Sequence, residues 1–181
     1  VFAIWMDVMA RLPRIVLWLL ASGKRMQANL QRFASRAGVD PSRLYFAPVV
    51  SQDAHIARFA CADLALDTLP YGSHTTGCDA LWAGVPLLTC PGETFACRVG
   101  ASLLRTSGLP ELVAESLDDY RVRLHELASR PEALRAHHEF LERTRSSNPL
   151  FDTRGFDRDW EALLERAYAG TIAARGSAPA A

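Results

Sequence analysis

The sequence lacks several features, and each absence narrows its chemistry. Its four cysteines, Cys61, Cys78, Cys90 and Cys97, include no Cys-x-x-Cys pair, which argues against a zinc knuckle and predicts reduced thiols in a cytoplasmic protein. Neither charge is in excess, with 20 basic and 20 acidic side chains, so nucleic acid and anionic membrane surfaces should not attract it. The longest apolar run, Ile15 to Ala21, is far too short to span a bilayer. The N-terminus also lacks the basic, apolar and cleavage regions of a signal peptide. No Gly-x-Gly-x-x-Gly or Walker loop occurs, which disfavours an ordinary dinucleotide or P-loop site, and no tetratricopeptide-like repeat is present.

What is present reads as globular. With 49% hydrophobic residues over 181 positions, the chain should form one domain that buries about 70% of its unfolded surface. It begins at Val1 and enters a helical pattern without a cap, as expected of a piece of a longer protein. That first helix should end at Pro13, because the residue before a proline avoids helical backbone. Apolar runs at Ile15–Leu20, Leu44–Val50, Leu64–Asp67 and Pro86–Thr89 predict strands, with Leu112-Val113 as a short fifth. Between them, one-faced spacing predicts helices over Lys24–Ala37, from Ser51 to about Cys61, from Ser73 onward, and over Phe95–Thr106, stopped by Gly108.

Beyond Leu117 the spacing is helical. Leu117, Tyr120, Leu124 and Leu127 share one face, Leu134, His138 and Leu141 another, and Phe156, Trp160, Leu163, Leu164, Ala167 and Tyr168 a third. Trp82 and Trp160 read as core on this pattern, and His125, His137 and His138 as packing or solvent residues. The small, Ala- and Pro-rich stretch 171–181 is expected to be a disordered tail, leaving a domain over 1–170. Alternating strands and helices imply an α/β fold, a Rossmann-like doubly wound parallel sheet with extra C-terminal helices. Ligands of such sheets sit beyond the carboxyl ends of the strands, where the loops at Val50 and Asp67 open.

The segment Leu66 to Cys90 is the most informative. Ser73 is a good N-cap, so the amides near Thr75, Thr76 and Gly77 would lack helical partners and, with the helix dipole, could hold a phosphate. The His74 ring and the Thr75 and Thr76 hydroxyls add donors, and Gly77 would let an anion approach. Asp79, one turn on, would repel a phosphate but suit ribose hydroxyls. The same residues also read as ordinary helix capping. His55 and Arg58, three apart, can reach one ligand or lie on a solvated surface helix. Asp67 and Glu93 are possible bases or turn formers, and Arg98 could meet a phosphate or pair with Glu93.

The run His-Thr-Thr-Gly-x-Asp-x-Leu-Trp-Ala-Gly-x-Pro from His74 to Pro86, then Pro91-Gly92-Glu93-Thr94 and Arg98-Val99, resembles the nucleotide-sugar-binding half of the O-linked N-acetylglucosamine (O-GlcNAc) transferases. The likeness extends from about Trp5 to Trp160 and includes Val16–Leu20 and Phe46–Val49. It implies the C-terminal half of a two-domain GT-B glycosyltransferase. Such an enzyme moves N-acetylglucosamine from UDP-N-acetylglucosamine (UDP-GlcNAc) to protein Ser and Thr hydroxyls, with no metal and no other cofactor. The acceptor would meet N-terminal regions that this chain lacks.

By the same resemblance, the backbone at Val50 and the side chains of His55 and Arg58 lie beside the base, and Gln52 replaces a nucleotide-binding lysine. His74, Thr75 and Thr76 match the phosphate-binding residues and Asp79 the ribose-binding carboxylate. Tyr71 stands where animal enzymes have a small cysteine, so with His74 it would shape the sugar pocket. The other readings are a related transferase using GDP-fucose and a noncatalytic binding or assembly domain.

Overall fold

The computed structural model describes residues 1–176, and side chains through residue 171. The chain divides after Arg145 into two compact units. In the first unit the order is α1 (Phe2–Arg11), β1 (Leu17–Leu20), α2 (Lys24–Arg36), β2 (Leu44–Ala47), α3 (Gln52–Arg58), β3 (Ala65–Leu66), α4 (Thr75–Trp82), β4 (Leu87–Leu88), α5 (Phe95–Ser107), α6 (Leu117–Ser129) and α7 (Pro131–Thr144).

Every strand pairing is parallel, as the alternation of strands and helices requires. β1 pairs with β2 from Leu17↔Leu44 to Leu20↔Ala47. β3 pairs with β4 through Ala65↔Leu87 and Leu66↔Leu88. The fifth strand expected at Leu112-Val113 is a single bridge, Thr89↔Val113. β2 and β4 are shorter than their apolar runs because prolines interrupt the ladders. β2 stops before Pro48, which has no N–H to donate, and Pro86 adds only its carbonyl, which accepts from the Ala65 amide at 2.8 Å.

The core lies where β4 meets α4 and α5. Leu87 and Leu88 are buried, as are Ala80 and Leu81 of α4 and Ala101 and Leu104 of α5. Gly108 closes α5 in the left-handed conformation, which a side chain would strain. α6 packs on α1 and α7, burying Tyr120, Leu124 and Leu127, while Leu117, at the first position of α6, is exposed. The indole N–H of Trp5 donates to the Tyr120 hydroxyl at 3.1 Å, and that hydroxyl faces the Asp67 carbonyl at 3.5 Å. Burial holds the Tyr120 phenol well above its usual pKa, so it stays a neutral donor.

The second unit is built around α8, Thr153–Gly176. Helix thus continues past the expected boundary at 170, and residues 177–181 lie outside the described ones. The tryptophans read as core are half exposed. Trp82, 45% exposed, has the Arg145 guanidinium 6.0 Å from its ring centre. Trp160, 50% exposed, stacks on Phe156, and Leu163, Leu164 and Tyr168 of the same stripe are also exposed. An apolar stripe marks a face that can be buried, not what covers it.

Arg43 is a structural residue with no sequence signal. Its guanidinium donates to the carbonyls of Met9 (3.0 Å), Leu12 (2.7 Å) and Ile15 (2.8 Å), satisfying groups left open where α1 ends and the chain turns into β1. Arg43→Ala should cost about 1.5 kcal/mol, the low end for charged hydrogen bonds because the carbonyls can take water. Arg43→Lys should recover little of it, since an ammonium cannot span three acceptors. The midpoint of urea unfolding checks both.

Candidate functional site

The loops opening after β2 and β3 bring two helix starts together. After Asp67 the chain turns through a cis Leu69–Pro70 peptide and enters α4 at Thr75, with His74 as the N-cap residue. This corrects the cap expected at Ser73, whose amide is instead held by the Asp67 carboxylate. The open amides are also fewer than expected. Gly77 donates to the His74 carbonyl at 3.0 Å, so of the three amides expected to be open those of Thr75 and Thr76 are left without an acceptor. Both are exposed, as an anion would require.

Gly77 does not serve close approach of a ligand. It is buried, and a Cβ there would lie 2.9 Å from Leu103 Cδ1 and 3.1 Å from Ser73 Cβ, so its smallness serves the packing of α4 on α5. His74 is half-buried beneath Tyr71, the rings stacked 4.9 Å apart at 15°, with Phe95 edge-on at 6.1 Å. Its Nε2 faces the Ala96 carbonyl at 3.4 Å. Tyr71 and Phe95 are 66% and 77% exposed, which makes the surface beside His74 aromatic and open. The family resemblance drew attention to Tyr71 but not to Phe95, which reads as an ordinary first residue of α5.

Three α3 residues converge on Asp79 or on each other. Gln52 Nε2 donates to Asp79 Oδ1 at 3.3 Å, and His55 Nε2 lies 3.7 Å from Asp79 Oδ2. Arg58 reaches His55 Nδ1 through Nε (3.1 Å) and Nη2 (2.7 Å), binds the Pro48 carbonyl at 2.8 Å and covers the Trp18 ring at 5.2 Å. A guanidinium only donates, so Nδ1 accepts, and these hydrogen bonds assign the ring proton to Nε2, facing Asp79. His55 also meets Phe59 edge-on at 5.0 Å. Val50 is exposed just before α3. Cys78 adjoins this cluster, but burial first, and then Asp79, pushes its thiol up, so it stays protonated and is no nucleophile.

The remaining candidates fall elsewhere. Asp67 is 3% exposed and accepts from two amides and a hydroxyl, so the turn-forming alternative holds over the base. Glu93 and Arg98 are both exposed, and the ion pair expected between them does not form among the described residues. His137 Nδ1 lies 3.6 Å from Glu111 Oε1, and His138 Nε2 faces the Asp63 carbonyl at 2.8 Å. A cavity of about 480 Å³ lies between the end of α5 and α7, lined by residues such as Gly108, His137, Phe140 and Arg143, none of which belongs to the α3–α4 cluster.

No group of three or more His, Cys, Asp or Glu residues is placed to hold a metal among the described residues, and the Asp157-Arg158-Asp159 triplet on α8 is exposed. Nor is any described helix long and apolar enough to cross a membrane.

A continuous row thus runs from Gln52, His55 and Arg58 through Asp79 to the open start of α4. The family description Glycosyl transferase family 41 matches residues 1–160. Over 163 residues the chain is 36% identical to the UDP-N-acetylglucosamine–peptide N-acetylglucosaminyltransferase of Caenorhabditis elegans, covering 88% of this chain and 14% of that protein. It is 37% identical to the probable enzyme of the same name, SEC, of Arabidopsis thaliana, over 91% of this chain and 16% of that one. Among solved structures, a mutant O-GlcNAc transferase of Thermobaculum terrenum superposes with a TM-score of 0.81 at 33% identity, covering 92% of this chain and 32% of that one. The chain therefore spans only a small part of its relatives' length, and over most of its own length it belongs to glycosyl transferase family 41.

Proposed function

We propose that this chain is the donor-binding portion of a protein O-GlcNAc transferase, taking UDP-GlcNAc as the sugar donor for Ser or Thr hydroxyls of a protein acceptor. The observation that carries it is the row just described, since it orders groups as a nucleoside diphosphate orders its own. His55 and Arg58 would lie beside a base, Asp79 would accept from ribose hydroxyls, and His74, Thr75 and Thr76 would meet the phosphates.

Chemically, the row would act on the leaving group. As the glycosidic C–O bond breaks, negative charge grows on the diphosphate, and the amides of Thr75 and Thr76 with their hydroxyls at the positive end of α4 stabilise it more than they stabilise the intact donor. In this reading none of the residues in the row acts as a base toward the acceptor. Acceptor binding and deprotonation are assigned to portions of the protein outside this chain, in keeping with its 14–16% share of these relatives.

Calorimetric titration of the chain with UDP tests this directly. Binding of UDP, with no transfer of labelled sugar to peptide by the chain alone, is the expected result. Transfer by the chain alone would overturn the division of labour. Failure to bind UDP or uridine would instead favour an assembly domain, and tighter binding of GDP than UDP a fucose-type donor.

A further inference from the structure

The buried carboxylate of Asp67 has no part in the row, yet it holds both ends of the loop that leads into α4. Asp67 follows β3, and its backbone amide still belongs to the ladder, donating to Leu88 at 3.0 Å. Its Oδ1 accepts from the amides of Thr68 (2.8 Å) and Ser73, the first and last residues of the turn, so one atom closes the loop. Its Oδ2 accepts from the Thr89 hydroxyl at 2.6 Å, and Thr89 is wholly buried beyond β4. The carboxylate therefore locks the loop to the adjoining strand.

α5 presses on the same group. A Cβ at Gly100 would stand 2.3 Å from Asp67 Oδ2 and 3.1 Å from Thr89 Oγ1, so the helix can lie there only because residue 100 has no side chain. The first turn of α5 then fastens the loop from the other face, the Ala96 carbonyl accepting from Gly72 at 3.0 Å and facing His74 Nε2. The residues so fixed lead directly into His74, Thr75 and Thr76.

We propose that Asp67 is the positioning residue for the diphosphate end of the site: by closing the Thr68–Ser73 loop it aims the first amides of α4 and the His74 ring at the phosphates, and touches no substrate itself. This rests on the donor-binding reading above. The loop leads into the phosphate donors and holds none of the α3 residues, so its loosening should be felt by UDP and not by uridine. Asparagine can keep all three bonds, its carbonyl oxygen accepting both amides and its NH2 donating to the Thr89 hydroxyl.

The test compares wild type, Asp67→Ala, Asp67→Asn and Thr89→Val by calorimetry with UDP and uridine, and by amide exchange of Ser73 in the ligand-free chain. Asp67→Ala should speed Ser73 exchange and weaken UDP about tenfold while leaving uridine within about twofold, and Asp67→Asn should restore both. Thr89→Val, which removes only the bond to Oδ2, should show the same selective loss at about threefold and serves if Asp67→Ala fails to fold. Equal losses for both ligands, or unchanged Ser73 exchange in Asp67→Ala, would reduce Asp67 to a core residue and overturn the proposal. A wild type that binds neither ligand would overturn the donor-binding reading and the ligand part of this one, while Ser73 exchange in the Ala and Asn variants would still decide whether Asp67 holds the loop.

Discussion

His74→Ala and Thr76→Ala should each weaken UDP by about ten- to a hundredfold and leave uridine almost unaffected. Each removes a donor from the open end of α4 and nothing from α3, where the base would lie. A hydrogen bond to a charged phosphate oxygen contributes about 1.5–3 kcal/mol, and each 1.4 kcal/mol is tenfold in affinity. The Thr76 side chain is exposed, so Thr76→Ala should leave the fold intact. His74 also carries the stacked Tyr71 ring and faces the Ala96 carbonyl, so its replacement has a second route to the loop. Comparing the two separates the routes, because Thr76→Ala can act only through its own hydroxyl. Equal losses on UDP and uridine would show that both residues merely shape the loop.

Asp79→Ala should weaken UDP by tenfold or more and leave pyrophosphate binding unchanged or improved. Asp79 lies one turn inside α4, beyond the open amides, and its charge would oppose a diphosphate at close range. It is tolerable beside one only if hydroxyl-bearing atoms lie between. The structure strengthens the expected effect, because Asp79 also holds Gln52 and faces the proton of His55. Its removal therefore loosens the base side as well, and uridine should weaken along with UDP, unlike the result for Thr76→Ala. Calorimetry with the three ligands, after both proteins are shown to melt alike, decides it. Parallel weakening of UDP and pyrophosphate would place Asp79 in the architecture of the loop, and unchanged UDP binding would remove it from the site.

Periodicity and punctuation carry local information, and the local features follow them. The i, i+3 spacing of His55 and Arg58 does put their side chains in contact, Gly108 does stop α5, and Pro13 does follow the end of α1. The parallel pairing also follows the order of strands and helices, because parallel neighbours need a crossover connection and each helix supplies one. Strand ends were less legible. An apolar run marks what is to be buried, whereas the ladder also needs N–H donors, and Pro48 and Pro86 lack one.

By itself, then, the sequence determined most of the helices and strands and their order, since these depend on neighbours a few positions apart. Tertiary structure decided what their residues do to one another. That Gln52 rather than a cation meets Asp79, that Gly77 packs against Leu103 and does not open a path for an anion, and that Ser73 surrenders its amide to Asp67 and leaves the cap to His74 all depend on pairs from different elements. The same holds for Arg43, whose three carbonyls come from the end of α1 and the turn after it, and for the exposed stripe of α8. Spacing fixes which side of a helix a residue occupies, but only the closed chain fixes what lies opposite, because hydrogen bonds and steric contacts act over a few ångströms between segments that the sequence keeps far apart.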